Sequence, residues 1–236
     1  MRHRGAFLLV LLASLALATA AFAGTLTGTI TYDDKVPPPG AGPFKPIQMD
    51  ADPACKAKHE GPVPLGELVL GSGNTLGNVF VQVKSPPAGN HTPPATPVQI
   101  DQNGCVYHPH VAGVLVGQAL LFKNSDGILH NVHGLPKQNQ QFNIGMPPTL
   151  KEKAVTLGKP EPLFTVKCDV HPWMNAYVAV MSHPYFAVTG EDGKFSIDGL
   201  PDGTYEVEAW HEKLGTQTVS VKAGEPAKVS FKIPGK

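Results

Sequence analysis

From Thr25 onward the chain is divided into short runs rich in Val, Ile, Thr and Phe, each closed within a few residues by Gly, Pro or an Asn-Gly or Asp-Gly pair. β-Branched and aromatic residues favour a pleated, half-buried surface, and the closing residues supply turns rather than helix continuations. With Gly 25 and Pro 24 against only 16% charged residues, the pattern predicts an all-β chain of sandwich architecture with little helix.

In order, Thr25–Tyr32 opens as a strand. Asp33–Pro64 is proline-rich and poor material for a ladder or a helix, so it reads as an irregular excursion pinned by Cys55. Leu68–Leu70 and Asn78–Lys84 return to strand, the latter with Val79, Val81 and Val83 on one face. A Pro-rich linker at Ser85–Pro97 marks a boundary. Beyond it, strands are expected at His110–Val116, Ala119–Asn124, His130–Gly134, Glu152–Leu157, Leu163–Cys168 and Ala176–Met181. Five more follow at Phe186–Thr189, Lys194–Ile197, Thr204–Trp210, Gly215–Val221 and Ala227–Ile233, with turns at Asp192-Gly193 and Asp202-Gly203. Those five hold few residues for a core of their own.

Residues 1–23 have a basic start (Arg2, His3, Arg4), an apolar run from Ala6 to Ala20, and small residues at Ala21 and Ala23. This is the pattern of a secretory signal peptide cleaved after Ala23. A transmembrane anchor is the competing reading, but the run falls short of the ~20 residues a span needs. The expectation is a periplasmic or secreted protein with no integral membrane segment after signal removal. Cleavage takes two of the 19 Lys and Arg and none of the 19 Asp and Glu. The mature chain is slightly acidic, with neither a nucleic-acid footprint nor a polybasic membrane patch.

Three cysteines in an exported chain leave one unpaired. Cys55 and Cys105 form the natural disulfide pair. Two alternatives stand beside it: two free thiols, or a second metal held by Cys55 with His59 and Cys105 with His108 or His110.

The third cysteine lies in Cys168-Asp169-Val170-His171-Pro172-Trp173-Met174, where a thiol, an imidazole and a thioether recur every third residue. Such a soft sulfur and nitrogen set selects copper over calcium, magnesium or manganese. The missing ligand is expected from the strand-like run upstream, at His130. No nucleophile, base and oxyanion constellation stands out, so the chain does not read as an enzyme.

Together, His130-Asn131-Val132 and Cys168-x-x-His171-x-x-Met174 resemble the cupredoxins, the small blue copper proteins, with a short loop like that of amicyanin. The resemblance covers roughly Val98–Ser182 and implies a Greek-key sandwich with one mononuclear type 1 copper. It implies His130, Cys168 and His171 as ligands in a trigonal plane, Met174 as a weak axial ligand, and Asn131 as the tether between ligand loops. One cysteine in the loop excludes a binuclear site. The long segment Leu135–Lys167 departs from the family pattern. Val170 retains an N–H where amicyanin has proline, and is expected to donate it to the Cys168 sulfur. Pro172 and Trp173, with Met146-Pro147-Pro148 nearby, would form an apolar patch for a redox partner, although Trp173 reads equally well as core.

The stretch Val188–Tyr205 resembles a carboxypeptidase regulatory-like (transthyretin-like) β-sandwich, whose usual first strands are matched near Gly24 and Val79. The implied organisation is 24–97 for the first strands and excursion, 98–183 for an inserted copper unit, and 184–236 for the remaining strands. The function implied is single-electron transfer to or from a c-type cytochrome, an oxidase or a dehydrogenase. A copper chaperone or a surface-binding β-sandwich protein is the alternative. His59 and His91 read as solvated, and His133 as structural or exposed. His108, His110, His183 and His211 read as structural unless they converge on a second metal.

Overall fold

The computed structural model describes residues 24–33, 46–64 and 66–222, together with 227–231 as a backbone strand. The expected signal peptide at 1–23 and the part of the excursion at 34–45 lie outside the described residues. So do the side chains and the far end of the last expected strand, Ala227–Ile233.

The described chain is all-β. In order the strands are β1 (Gly24–Tyr32), β2 (Phe80–Val83), β3 (Val98–Gln102), β4 (Tyr107–His108), β5 (Val111–Leu115), β6 (Ala119–Asn124), β7 (His130–Gly134) and β8 (Phe142–Met146). They continue with β9 (Glu152–Thr156), β10 (Glu161–Lys167), β11 (Asn175–Met181), β12 (Phe186–Val188), β13 (Lys194–Leu200), β14 (Thr204–His211), β15 (Gly215–Lys222) and β16 (Ala227–Phe231). One four-residue helix, α1 (Pro53–Lys56), follows its N-cap Asp52. Among the described residues no helix is long and apolar enough to cross a membrane.

These strands form four sheets, ordered β13-β1-β16, β12-β2-β14-β15, β5-β11-β10-β7-β8 and β4-β3-β6-β9. Alternate side chains of each strand turn inward, as the period of two requires. Ile100, Leu120 and Phe122 of β3 and β6 meet Val132, Val166 and Val178 of β7, β10 and β11 in one core. Leu26 and Ile30 of β1, Ile197 of β13, Val81 of β2 and Val207 of β14 build the other. The C-terminal strands therefore need no core of their own. β1 pairs with β13 and β16, and β2 lies between β12 and β14, so both ends of the chain share two sheets.

A third apolar cluster joins the two sandwiches. Phe80 packs with Val111, Leu115, Ala179 and Met181, and its ring stacks on Phe186 at 5.6 Å. Gly113 in β5 faces these rings, and a Cβ there would run into Phe186 and Phe80. Beside the cluster the Glu212 carboxylate accepts from the Tyr177 hydroxyl at 3.1 Å and pairs with His110.

Two features go beyond what the sequence showed. The segment between β7 and β10 contains a further strand, β8, which pairs residue by residue with β7 from His130↔Met146 to Gly134↔Phe142. The described part of the excursion is also built onto the core. Ile47 and Val63 form a bridge, and Ile47, Met49 and Cys55 are buried among the core residues.

Candidate metal centre

The loop Cys168–Met174 joins β10 to β11, and the last ladder pair before it is Lys167↔Asn175. Within it, Cys168 N donates to Met174 O at 3.1 Å and Met174 N to His171 O at 2.9 Å. A seven-residue loop closed twice by its own backbone leaves its side chains little freedom. Cys168, His171 and Met174 are all buried in it, and His130, at the start of β7, is fully buried beside it.

One ligand atom each from His130, Cys168 and His171 lie within 4.8 Å of one another. His130 Nδ1 is 2.9 Å from His171 Nδ1, and His171 Nδ1 is 3.8 Å from the Cys168 sulfur. Met174 is buried in the hydrophobic core that also holds Cys168.

The outer edges of both rings are committed. His130 Nε2 donates to Asp126 Oδ2 at 2.9 Å, and His171 Nε2 donates to Asp52 Oδ2 at 3.0 Å. With each Nε2 proton directed at a carboxylate, the two Nδ1 atoms are left facing each other. Two ring nitrogens at that separation need a proton or a cation between them. A thiolate beside them completes a soft, cation-seeking set that fits copper.

Asp126 gathers the surroundings of His130. Its carboxylate accepts from Gly104 N at 2.7 Å and Cys105 N at 2.8 Å, with Lys58 Nζ at 3.2 Å. Burial favours its neutral form, but the His130 ring N–H, the Cys105 and Gly104 N–H groups and Lys58 outweigh burial and hold its pKa at about 2. Burial likewise pushes the Cys168 thiol up. His130 and the backbone N–H groups of Asn131 and His171 overcome this and bring it down to about 7, which favours the thiolate a metal requires.

The Asp126 shift carries a stability prediction. A carboxyl whose folded pKa lies below its unfolded value stabilises the fold above the unfolded value, and the benefit disappears as pH falls through the folded one. For the metal-free protein the loss falls between about pH 4 and pH 2 and amounts to roughly 2–3 kcal/mol. Urea unfolding across that range is expected to show it, and Asp126→Asn to flatten that part of the profile. A variant as acid-sensitive as wild type would show that Asp126 contributes nothing to it.

Asn131 ties the strand to the loop. Its Oδ1 accepts from Asp169 N at 2.6 Å and Val170 N at 3.4 Å, while its Nδ2 donates to Asp169 Oδ2 and Asn143 Oδ1. The expected Val170 N–H to sulfur bond is corrected: that N–H turns to Asn131, and the His171 N–H points at the Cys168 sulfur, 3.4 Å away. The turn after Cys168 presents the first two N–H groups outward to Asn131, so the third is the one that reaches back.

The expected docking residues divide. Pro172, Pro147 and Pro148 are exposed, whereas Trp173, 5.2 Å from the His171 ring, is half-buried and donates Nε1–H to Cys105 O at 2.9 Å. Met146 is fully buried, and its sulfur accepts from Gln102 Nε2 at 3.1 Å. Among the described residues, the large apolar side chains that do face solvent are Leu129, 50% exposed, and Val170, 45% exposed, each adjacent in sequence to a site residue.

A disulfide joins Cys55 to Cys105 across 50 residues, and Cys168 is the free cysteine. His59 is not simply solvated, because its Nε2 donates to Gly104 O at 2.7 Å beside that disulfide. Nor is His91, whose ring lies edge-on to Tyr185. His133 hydrogen-bonds the Asp169 carboxylate. His108 is exposed, His110 pairs with Glu212, and His183 and His211 are buried apart from the site. Among the described residues the groups able to hold a metal all adjoin His130 or His171.

Asp52 and Asp126 went unseen in the sequence. Asp126 stands four residues before His130 in an Asp-Gly turn, and Asp52 opens an Asp-Pro helix start three residues before Cys55. Either signal could have flagged a side chain held near the site.

The family description "Carboxypeptidase regulatory-like domain" matches residues 169–234, which run from the loop through β11 to the C-terminal strands. No curated protein matches the chain. Solved structures similar to part of it are cupredoxin-type proteins. One is the copper-containing nitrite reductase of Thermus scotoductus SA-01, with 21% identity over 41% of this chain and 25% of that one, at a TM-score of 0.33. The chain thus spans about a quarter of that enzyme's length. Another is a purple cupredoxin from Nitrosopumilus maritimus, with 20% identity over 36% of this chain and 99% of that one, at 0.30. A third is a Cu(I) form of a mutant amicyanin, with 18% identity over 43% and 98%, at 0.32. What the site does is therefore read from its own side chains.

Proposed function

We propose that this chain is an exported, cupredoxin-type copper protein that carries single electrons, with His130, Cys168, His171 and Met174 holding one type 1 copper. The observation that carries the reading is the convergence of two Nδ1 atoms and the Cys168 sulfur in a buried site, with both outer ring edges already satisfied. Bound there, copper would supply a one-electron couple. A thiolate and two imidazoles with a weak thioether suit both of its oxidation states, so little need move as the electron passes.

The protein's own contribution is rigidity. The twice-closed loop, the Asn131 tether and the two carboxylates hold the donors in place before metal arrives. Leu129 and Val170 offer apolar contact to a redox partner close to the site. Residues 98–183 read as a unit inserted into a transthyretin-like sandwich, a reading supported by the pairing of β1 with β13 and β16. A chaperone that hands metal over readily is less well served by four donors so deeply buried.

Adding Cu(II) to the purified, signal-free protein is the test. One equivalent is expected to give an intense visible thiolate-to-copper band that bleaches with one electron per copper and returns on oxidation. A colourless protein that binds only Cu(I) would overturn the carrier reading in favour of the chaperone.

A further inference from the structure

The excursion upstream of β2 brings a carboxylate to the far side of the loop histidine. His171 is 2% exposed, and what stands at its outer edge is Asp52, 119 residues away in sequence. Asp52 is held twice. Its Oδ1 accepts from Ala54 N at 2.9 Å and Cys55 N at 3.1 Å as the N-cap of α1, which leaves Oδ2 for the His171 ring. The segment carrying it is fixed at three further points: the Cys55–Cys105 disulfide, the Ile47–Val63 bridge and the His59 bond to Gly104 O. One half of the disulfide groups with Asp52 and His171, and the other with Asp126 and His130, each set lying within 4.8 Å.

Resting on the copper reading above, we propose that residues 46–63 form a disulfide-pinned clamp whose Asp52 is a positioning residue for His171 and biases a bound copper toward its oxidised state. The physical reason is the charge of the acceptor. A carboxylate on the Nε2 proton gives the ring imidazolate character, makes Nδ1 a stronger donor, and places a negative charge near the metal. All three favour Cu(II) over Cu(I). The same bond fixes the ring's tautomer and orientation, so the histidine stays in place when the electron arrives.

Asp52→Asn keeps the cap, because asparagine is as good an N-cap as aspartate and its Oδ1 still accepts from the Ala54 and Cys55 N–H groups. What it removes is the negative charge together with the Oδ2 acceptor of the His171 Nε2–H. The copper-loaded variant is expected to keep the visible band, lose Cu(II) affinity by roughly 10–100-fold, and have a higher reduction potential than wild type. Asp52→Glu is expected to return the potential toward wild type. Asp50→Asn, two residues away on a carboxylate that pairs with Lys56, is expected to leave it unchanged. In the metal-free protein, nitrogen-15 NMR is expected to show a slowly exchanging His171 ring proton that becomes fast in Asp52→Ala.

Coincident potentials for wild type and Asp52→Asn would overturn the proposal and leave the copper reading standing. An equal shift in Asp50→Asn would also overturn it, since a general charge effect would then suffice. A wild-type protein that takes up no copper sinks the copper reading itself.

Discussion

Cys168→Ser is expected to abolish the visible band of the copper-loaded protein and to weaken Cu(II) binding by more than about 100-fold, the upper end of what replacing an outer partner of a metal ligand costs. The charge-transfer band needs a thiolate. A serine hydroxyl does not ionise near neutral pH, whereas the Cys168 thiol is brought down to about 7 by His130 and by the N–H groups of Asn131 and His171. The metal-free variant should unfold close to wild type, because the hydroxyl is nearly isosteric with the thiol and can accept the same His171 N–H. Spectral titration with Cu(II), paired with urea unfolding of the metal-free form, separates loss of the donor from loss of the fold. A variant that keeps an intense band would show that Cys168 is not the sulfur ligand, and the carrier reading would go with it.

How much of this was legible in the sequence depended on distance along the chain. Strand β6 over Ala119–Asn124 and strand β7 over His130–Gly134 follow from alternation and turn residues within their own few positions, and the loop declares itself through the spacing of Cys168, His171 and Met174. Donor types at short spacing are local information. The outer carboxylates are not: Asp52 meets His171 across 119 residues, and Asp126 becomes recognisable only when Gly104 and Cys105 N–H groups arrive at it from β4's approach. Nothing in the propensities of the proline-rich stretch says that its described part, 46–64, will be built onto the core, because that placement comes from a disulfide and from apolar anchors such as Ile47 and Met49 in a core that other segments build. The Val170 expectation failed for a related reason. Counting N–H groups in the loop shows which are free to donate, but which one reaches the sulfur depends on the turn and on Asn131 taking the first two.

Removal of the disulfide is expected to have the largest effect on stability and to open the site as well. Closing 50 residues of chain between Cys55 and Cys105 corresponds to about 4 kcal/mol in the loop-entropy account, a large share of the ~5–15 kcal/mol that holds a typical domain folded. The double variant Cys55→Ala with Cys105→Ala leaves Cys168 as the one thiol, and its urea midpoint should fall accordingly. The site should respond in the same experiment. Cys55 holds the helix that Asp52 caps, and Cys105 N and Gly104 N bind Asp126, so releasing the bridge loosens the carboxylates behind both histidines. Copper in the double variant should then pass to an external chelator at least about tenfold faster than in wild type, the lower end of what losing one such partner costs. Separate outcomes discriminate the two roles: a lowered midpoint with unchanged copper release would make the bridge a staple for the fold alone. Faster release that Asp52→Asn reproduces without a change in midpoint would make it the anchor of the clamp.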